Sequence, residues 1–272
     1  MVTELARKGA PWLRVLTLNA HQGFRAGHRH EALLRIRDAL RASQADLVFL
    51  QEIGATGGAE SAMHQYEVLA DGVWTEYAYG RNAVATGGHH GNALLSRHPI
   101  TSWRNVDASV GQAEPRGLLH AVIALTGDRQ PLHAICVHLA LRESHRRHQV
   151  SRLLELVARD VPPDAALVIA GDFNDWREHA HRRLLREGGL AEVHSAAAGG
   201  RPARTFPARA PWLRLDRIYV RNLRHRPVKV EARDWRKLSD HMPLATEIRP
   251  CEHDAGAVST EKTSPCAEIP PS

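Results

Sequence analysis

Several side chains able to do chemistry stand at the ends of apolar runs. Asn19 closes VLTLN (15–19), Glu52 closes LVFLQE (47–52), and His138 closes ICVH (135–138). Asp172 and Asn174 lie in GDFND (171–175), directly after ALVIA (166–170). Asp216 opens the run DRIYV (216–220), and Asp240-His241 precede the apolar segment that starts at Leu244. A glutamate after such a run is costly to bury unpaired, and its oxygens suit a hard cation. Asp172 and Asn174 are two apart, so an extended backbone would project both to one side. A carboxylate beside a carboxamide suits Mg²⁺ or a phosphoryl oxygen. Asp216 could orient an imidazole and raise its basicity. Asp240-His241 is a metal-or-base pair, and His138 adds a second imidazole. Together these types meet the needs of phosphoester cleavage: a cation on the phosphoryl oxygens, a base for water, and donors for the developing charge.

Each feature also has a plainer reading. Glu52 could simply reach solvent from a strand end. GDFND is rich in turn formers. Asp240-His241 could be surface polarity, Asp216 could pair with a neighbouring arginine, and His138 could be a satisfied core histidine. Arg116, in EPRG (114–117), either touches phosphate or is a solvated strand-end arginine. The run Arg142, Arg146, Arg147 and Arg152 reads as a solvated helix face. The paired histidines His28/His30, His89/His90, His145/His148 and His179/His181 read as exposed surface, since no cysteine completes a zinc-type ligand set.

The residues need strand ends to hold them. Alternation or continuous apolarity predicts strands at 12–19, 46–51, 118–125, 132–139, 166–170, 217–220 and 244–248. The pair 118–125 and 132–139 forms a hairpin around Gly127-Asp128. Helical spacing covers 30–42 and 142–159. Strands alternating with helices, together with hairpins, imply an α/β protein with mixed sheets. Long loops fall at 54–61, 80–91 and 195–211. Residues 11–249 read as one domain after a short N-terminal extension (1–10). From Pro250 the chain loses periodicity and reads as a disordered tail (250–272).

The 272 residues are 43% hydrophobic and 24% charged, ordinary for a globular chain with a sizeable core. This excludes a disordered chain, a collagen-like repeat or a disulfide miniprotein. The formal charge is +6, and only four of the 36 basic residues are lysines. That balance fits either an arginine-favouring composition or an anionic partner such as nucleic acid or a phosphate ester. The three cysteines, Cys136, Cys251 and Cys266, give no disulfide framework and fit a reducing compartment. No apolar run is long enough to span a membrane, the start carries no secretory pattern, and a cytoplasmic location is the default.

The motifs in their order resemble the endonuclease/exonuclease/phosphatase (DNase I-like) superfamily. The stretches are LTLNAHQG (16–23), DLVFLQEI (46–53), GNALLSRHPI (91–100), VHLALRESHRRHQ (137–149), VIAGDFNDW (168–176), LRLDRIYV (213–220) and LSDHMPLATEI (238–248). EYAYGRNAV (76–84) and GRPARTFP (200–207) are similar to the small bacterial YbhP-like branch. The resemblance implies a four-layer α/β sandwich, two packed mixed sheets flanked by helices, and a divalent-metal phosphoesterase using Mg²⁺, with Mn²⁺ as a substitute. It makes Glu52 and Asn19 metal ligands, with Asp240 a further metal or proton-relay group. It makes Asp172 the residue that orients or activates water, and Asn174 a ligand of the scissile phosphate. His241, held by Asp216, becomes one catalytic imidazole, and His138 a donor to a phosphoryl oxygen. Asn92 and Arg116 are the candidate substrate contacts. His21 stands where some members carry a second Asp or Asn, which puts a metal role for it in doubt.

A histidine at 138 leans away from the abasic-site nucleases. The first expectation is therefore a phosphodiesterase acting on a lipid headgroup or small ester, with peripheral membrane contact open. The alternative is a nuclease acting on DNA or RNA. A non-catalytic interaction module on the same fold comes third, because it need not keep all of these residues. No obligate protein partner is evident.

Overall fold

The computed structural model describes residues 11–20, 29–56, 64–85, 88–111, 114–125, 130–195 and 200–251. They build two mixed sheets of six strands each. The first runs, in spatial order, β11 (Leu223–Val228), β12 (Leu244–Pro250), β1 (Leu13–Asn19), β2 (Leu47–Thr56), β4 (Gly88–Ser96), β3 (Glu76–Ala85). The second runs β5 (Ile100–Asp107), β6 (Gly117–Ile123), β7 (Leu132–His138), β8 (Ala166–Asp172), β10 (Asp216–Arg221), β9 (Ala191–Glu192). The helices are α1 (Arg29–Ala42), α2 (Gln65–Ala70), α3 (Glu143–Asp160), α4 (His179–Gly188) and α5 (Ala232–Trp235).

The central strands are apolar on both faces because both faces are covered. Side chains alternate sides along a strand. Val15, Phe49, Cys136, Val168 and Ile218 meet between the sheets. Their neighbours Leu16, Leu18, Val48 and Leu50 face outward, under Ile36 and Leu40 of α1 and Leu69 of α2. On the second sheet Ile135, Val137, Leu167 and Ile169 face outward, under Leu153 and Val157 of α3 and Leu184 of α4. The result is helix, sheet, sheet, helix, as the resemblance implies.

The same period of two delivers the polar strand ends. Continuing the inward positions of β1 from Val15 through Thr17 gives Asn19. Continuing Cys136 gives His138, continuing Ala170 gives Asp172, and stepping back from Ile218 gives Asp216. Register levels them: Asn19 pairs with Gln51 across β1 and β2, His138 with Asp172, and Asp172 with Asp216. All sit at one end of the inter-sheet layer.

Gly171 permits this levelling. Its φ is +148°, and a Cβ there would lie 1.9 Å from the Val137 carbonyl oxygen of β7. We expect Gly171→Ala to push β8 off β7 and cost more than about 3 kcal/mol, as strained backbone sites do. Urea denaturation checks this; a variant within 1 kcal/mol of wild type, on the order of a surface change, contradicts it.

Several expectations change. The loop expected at 80–91 is largely strand, with β3 and β4 running through it, because Ala, Gly and Asn leave little β signal there. β2 continues to Thr56, into the loop expected at 54–61. Sequence periodicity does not predict strands β5 and β11 or helices α2 and α4. Arg146 is not on a solvated face but is buried within α3's inner surface. His181 is also buried, its Nδ1 3.0 Å from the Tyr219 hydroxyl. Cys136 is a free core thiol, as its apolar run suggests. No helix among the described residues is long and apolar enough to cross a membrane. The N-terminal extension (1–10), His21, His28, the turn at Gly127-Asp128 and residues 252–272 lie outside the described residues.

Candidate active site at the strand ends

Glu52 reaches the strand-end cluster through a break in pattern. Alternation keeps Gln51 inside, where its Nε2 is 3.3 Å from Thr17 Oγ1 and 3.3 Å from Cys136 Sγ. The β2–β4 register then shifts between Leu50 and Ile53, and Glu52 adopts φ +58°. A non-glycine residue there costs of order 1–3 kcal/mol and persists only where its surroundings enforce it. The kink places Glu52 Oε1 3.3 Å from Asn19 Nδ2.

Asp172 is the hub. Its Oδ2 accepts from the same Asn19 Nδ2 at 3.0 Å, and its Oδ1 accepts the Asn174 backbone N–H at 2.8 Å. His138 Nε2 lies 3.7 Å from Asp172 Oδ2 and 3.9 Å from Glu52 Oε1. On the other side His241 Nε2 lies 4.0 Å from Asp172 Oδ2. His241 Nδ1 is 2.8 Å from Asp216 Oδ2. The two imidazoles thus flank one buried carboxylate.

Burial raises the Asp172 pKa, and the nearby Asp216 charge adds to it; His241 only partly offsets these, leaving Asp172 at about 6. Burial alone would lower His241, but the Asp216 carboxylate outweighs it and lifts the imidazole to about 10. His241 is therefore the cationic member and Asp172 a carboxylate that can take a proton near neutrality.

The supports are specific. Ser239 Oγ donates to the Asn19 carbonyl at 2.6 Å and accepts the His241 N–H at 3.1 Å, tying the two edges of the site together. Thr205 Oγ1 accepts the Asp216 N–H at 3.2 Å, and the Phe206 ring lies 4.9 Å from the His241 ring. Asn174, at φ +49°, donates its Nδ2 to the Leu139 carbonyl at 2.9 Å. The arginine beside Asp216 does not pair with it: Arg217 Nη1 donates to Asp175 Oδ2 at 2.9 Å, both groups fully buried. Thr205, Phe206 and Arg217 were not singled out in the sequence, because their type and spacing carry no chemical signal.

Three candidates sit differently. Asn92 is buried below the cluster; its Nδ2 donates to the carbonyls of Gly117 (3.0 Å) and Cys136 (3.4 Å), stitching β4 to the second sheet. Arg116 pairs with Glu114 at 2.9 Å. Asp240 is half-buried, and its charge contributes to the raised His241 pKa.

Two groupings could hold a cation. Asp172, Asp216 and His241 have ligand atoms within 4.8 Å of one another. There, however, His241 Nδ1 is engaged by Asp216, and a protonated imidazole does not ligate. The second grouping fits better: Glu52 and Asp172 carboxylates converge on the single amide of Asn19. The partly buried Glu52 carboxylate beside the buried Asp172 carboxylate suits a hard divalent ion.

Comparison with known proteins bears on the family and the fold. Residues 16–241 match the model of the Endonuclease/Exonuclease/phosphatase family. The uncharacterized protein YbhP of Escherichia coli (strain K12) is 47% identical over 245 residues, 86% of this chain and 95% of that protein. The human Nocturnin catalytic domain with bound sulfate superposes with a TM-score of 0.71 at 16% identity, over 89% of this chain and 96% of that one. D. rerio TDP2 complexed with single-strand DNA product gives 0.62 at 17% identity, over 88% and 99%. At such identities these two structures speak for the fold.

Proposed function

The chain belongs to the endonuclease/exonuclease/phosphatase family, and from that premise we propose that it is a Mg²⁺-dependent phosphodiesterase, Mn²⁺ substituting, acting on a lipid headgroup or other small ester. The observation that carries the reading is Asp172, a buried carboxylate with a raised pKa, within 4.0 Å of two imidazoles and hydrogen-bonded to the amide that also meets Glu52.

Glu52 and Asn19 would hold the cation, with Asp240 as a further candidate ligand. A cation held there would polarise the phosphoryl oxygens and offset the charge that builds on them. Asp172 takes the proton of the attacking water as the new P–O bond forms and the bond to the leaving alkoxide breaks, the alkoxide taking its proton from solvent. His241, kept cationic by Asp216, and His138 donate to phosphoryl oxygens. Asn174, fixed by its bond to Leu139, orients the phosphate. Asn92 and Arg116 act more as supports of this end of the sheets than as direct contacts.

The surroundings favour an ester with an apolar part. Leu141 follows His138 by three residues and is 59% exposed; Trp176 follows Asn174 by two and is 42% exposed; Trp212 precedes Asp216 and is 63% exposed. A second reading, a nuclease, has its own support. Arg147, Arg182, Arg183 and Arg186, with Glu143 and Glu187 among them, line a groove between α3 and α4. A TDP2 of similar fold was captured with single-strand DNA product.

The test sets a small aryl phosphodiester and supercoiled plasmid side by side, with Mg²⁺ at low salt. We expect hydrolysis of the diester and intact plasmid. Nicking by wild type but not by Asp172→Asn would move the assignment to the nuclease. No turnover of either substrate with Mg²⁺ or Mn²⁺ would sink the enzymatic reading.

A further inference from the structure

We infer that Arg146 is a positioning residue of this site, clamping the segment after His138 to the segment after Asn174. Its kinetic consequence rests on the phosphodiesterase reading; its structural one does not.

Arg146 is 1% exposed, on the inward side of α3's first turns. A buried guanidinium is costly unless its donors are met. Here the Nη donors are met, chiefly by backbone that has just left the sheet, while Nε has no hydrogen-bond partner among the described residues. Nη1 donates to the carbonyls of Ala140 and Leu141, each at 2.9 Å. Nη2 donates to the Glu143 carboxylate. Across the gap Nε lies 3.8 Å from Asp175 Oδ1, and the guanidinium carbon sits 5.2 Å from the Trp176 ring centre. Gln149, one turn further along α3 and fully buried, accepts the Ala140 N–H on Oε1 at 2.8 Å.

Both backbone groups of Ala140 are therefore held by α3, two residues beyond His138. The other side of the segment is held too: the Leu139 N–H donates to the Asp172 carbonyl at 2.9 Å, and its carbonyl accepts Asn174 Nδ2. A leucine at 146 could fill the volume, but it would leave two carbonyls without partners. Only the planar guanidinium serves two adjacent carbonyls through Nη1, the Glu143 carboxylate through Nη2 and a ring face at once. A lysine offers a single point charge in the same place.

The experiment compares Arg146→Lys and Gln149→Met with wild type. It reads kcat and KM on the small aryl diester, near-UV circular dichroism, and amide exchange at Ala140, Leu141 and Ile135. We expect folded variants with kcat down about 100-fold, as ångström-scale misplacement costs, and KM within about twofold. Exchange should quicken at Ala140 and Leu141 but not at Ile135 in β7. A folded Arg146→Lys with kcat within threefold of wild type, about 0.7 kcal/mol, overturns the inference. So does a loss of rate that disappears on cooling, which marks a general drop in stability. If the wild type turns over no diester, the phosphodiesterase reading fails, and exchange alone decides: unchanged rates at Ala140 and Leu141 then overturn the clamp.

Discussion

Asp172→Asn yields a folded protein whose kcat on a diester is lower by about 10²–10⁴-fold, the usual contribution of a general base. The substitution keeps shape and volume. Its amide oxygen can still accept the Asn174 N–H, and the Asn19 side chain can turn to meet the new NH₂ by giving up its bond to Glu52. What it removes is the proton acceptor between His138 and His241. The stability effect should run opposite to the activity effect. The folded state raises the Asp172 pKa to about 6, so folding favours its protonated form. The stability gained from that preference is present in full below the unfolded pKa of about 3.9 and is lost as pH rises through 6. A neutral amide does not suffer this loss. Measured in EDTA, the Tm of Asp172→Asn should match or exceed wild type at pH 7.5, and the advantage should shrink toward pH 4. A variant that melts well below wild type at pH 7.5 while keeping its rate would remove Asp172 from the centre of the site.

The inward strand-end residues are legible because two-residue periodicity is a strong signal and the strands that carry them are mostly apolar. Asn19, His138, Asp172 and Asp216 follow from counting along β1, β7, β8 and β10. The pairing of Asp216 with His241 was an implication of the resemblance that the 2.8 Å contact now gives geometry. Glu52 is a different case. Simple alternation would send it away from Asn19, and only the register shift and its left-handed backbone bring it in. No composition or spacing rule forecasts such a bulge. Arg146 failed for a related reason. In the sequence it sits among arginines and histidines on a polar helix, and a charged residue there is usually solvated. Its burial depends on carbonyls of Ala140 and Leu141 that point inward only once the sheet has ended. The edge strands β3, β5 and β11 were obscured by glycine, asparagine and arginine, since one exposed face needs few apolar residues.

Glu52→Gln should separate metal binding from folding. Glu52 and Asp172 present two carboxylates to one amide, so negative charge is concentrated where a cation held by Glu52 would relieve it. For wild type we expect EDTA to abolish turnover and Mg²⁺ or Mn²⁺ to restore it. A ligand that binds only the folded chain at 100 times its Kd adds about 2.7 kcal/mol. For a chain of this size that raises Tm by about 5–10 °C. Glu52→Gln keeps the φ +58° kink and the hydrogen-bonding reach of the side chain but removes one of the two charges. Its Tm in EDTA should equal or slightly exceed that of wild type, because the facing negative charges are fewer. Its Mg²⁺-induced rise in Tm should collapse, and its kcat should fall by about 10³-fold or more, as loss of a charge-stabilising cation implies. The Tm shift is read without any substrate, so it speaks to the metal even where the right ester has not been found. Should Glu52→Gln keep the full Mg²⁺ shift, the cation sits elsewhere. The Asp172–Asp216–His241 grouping would then be its site, with His241 deprotonated on binding and one proton released per ion.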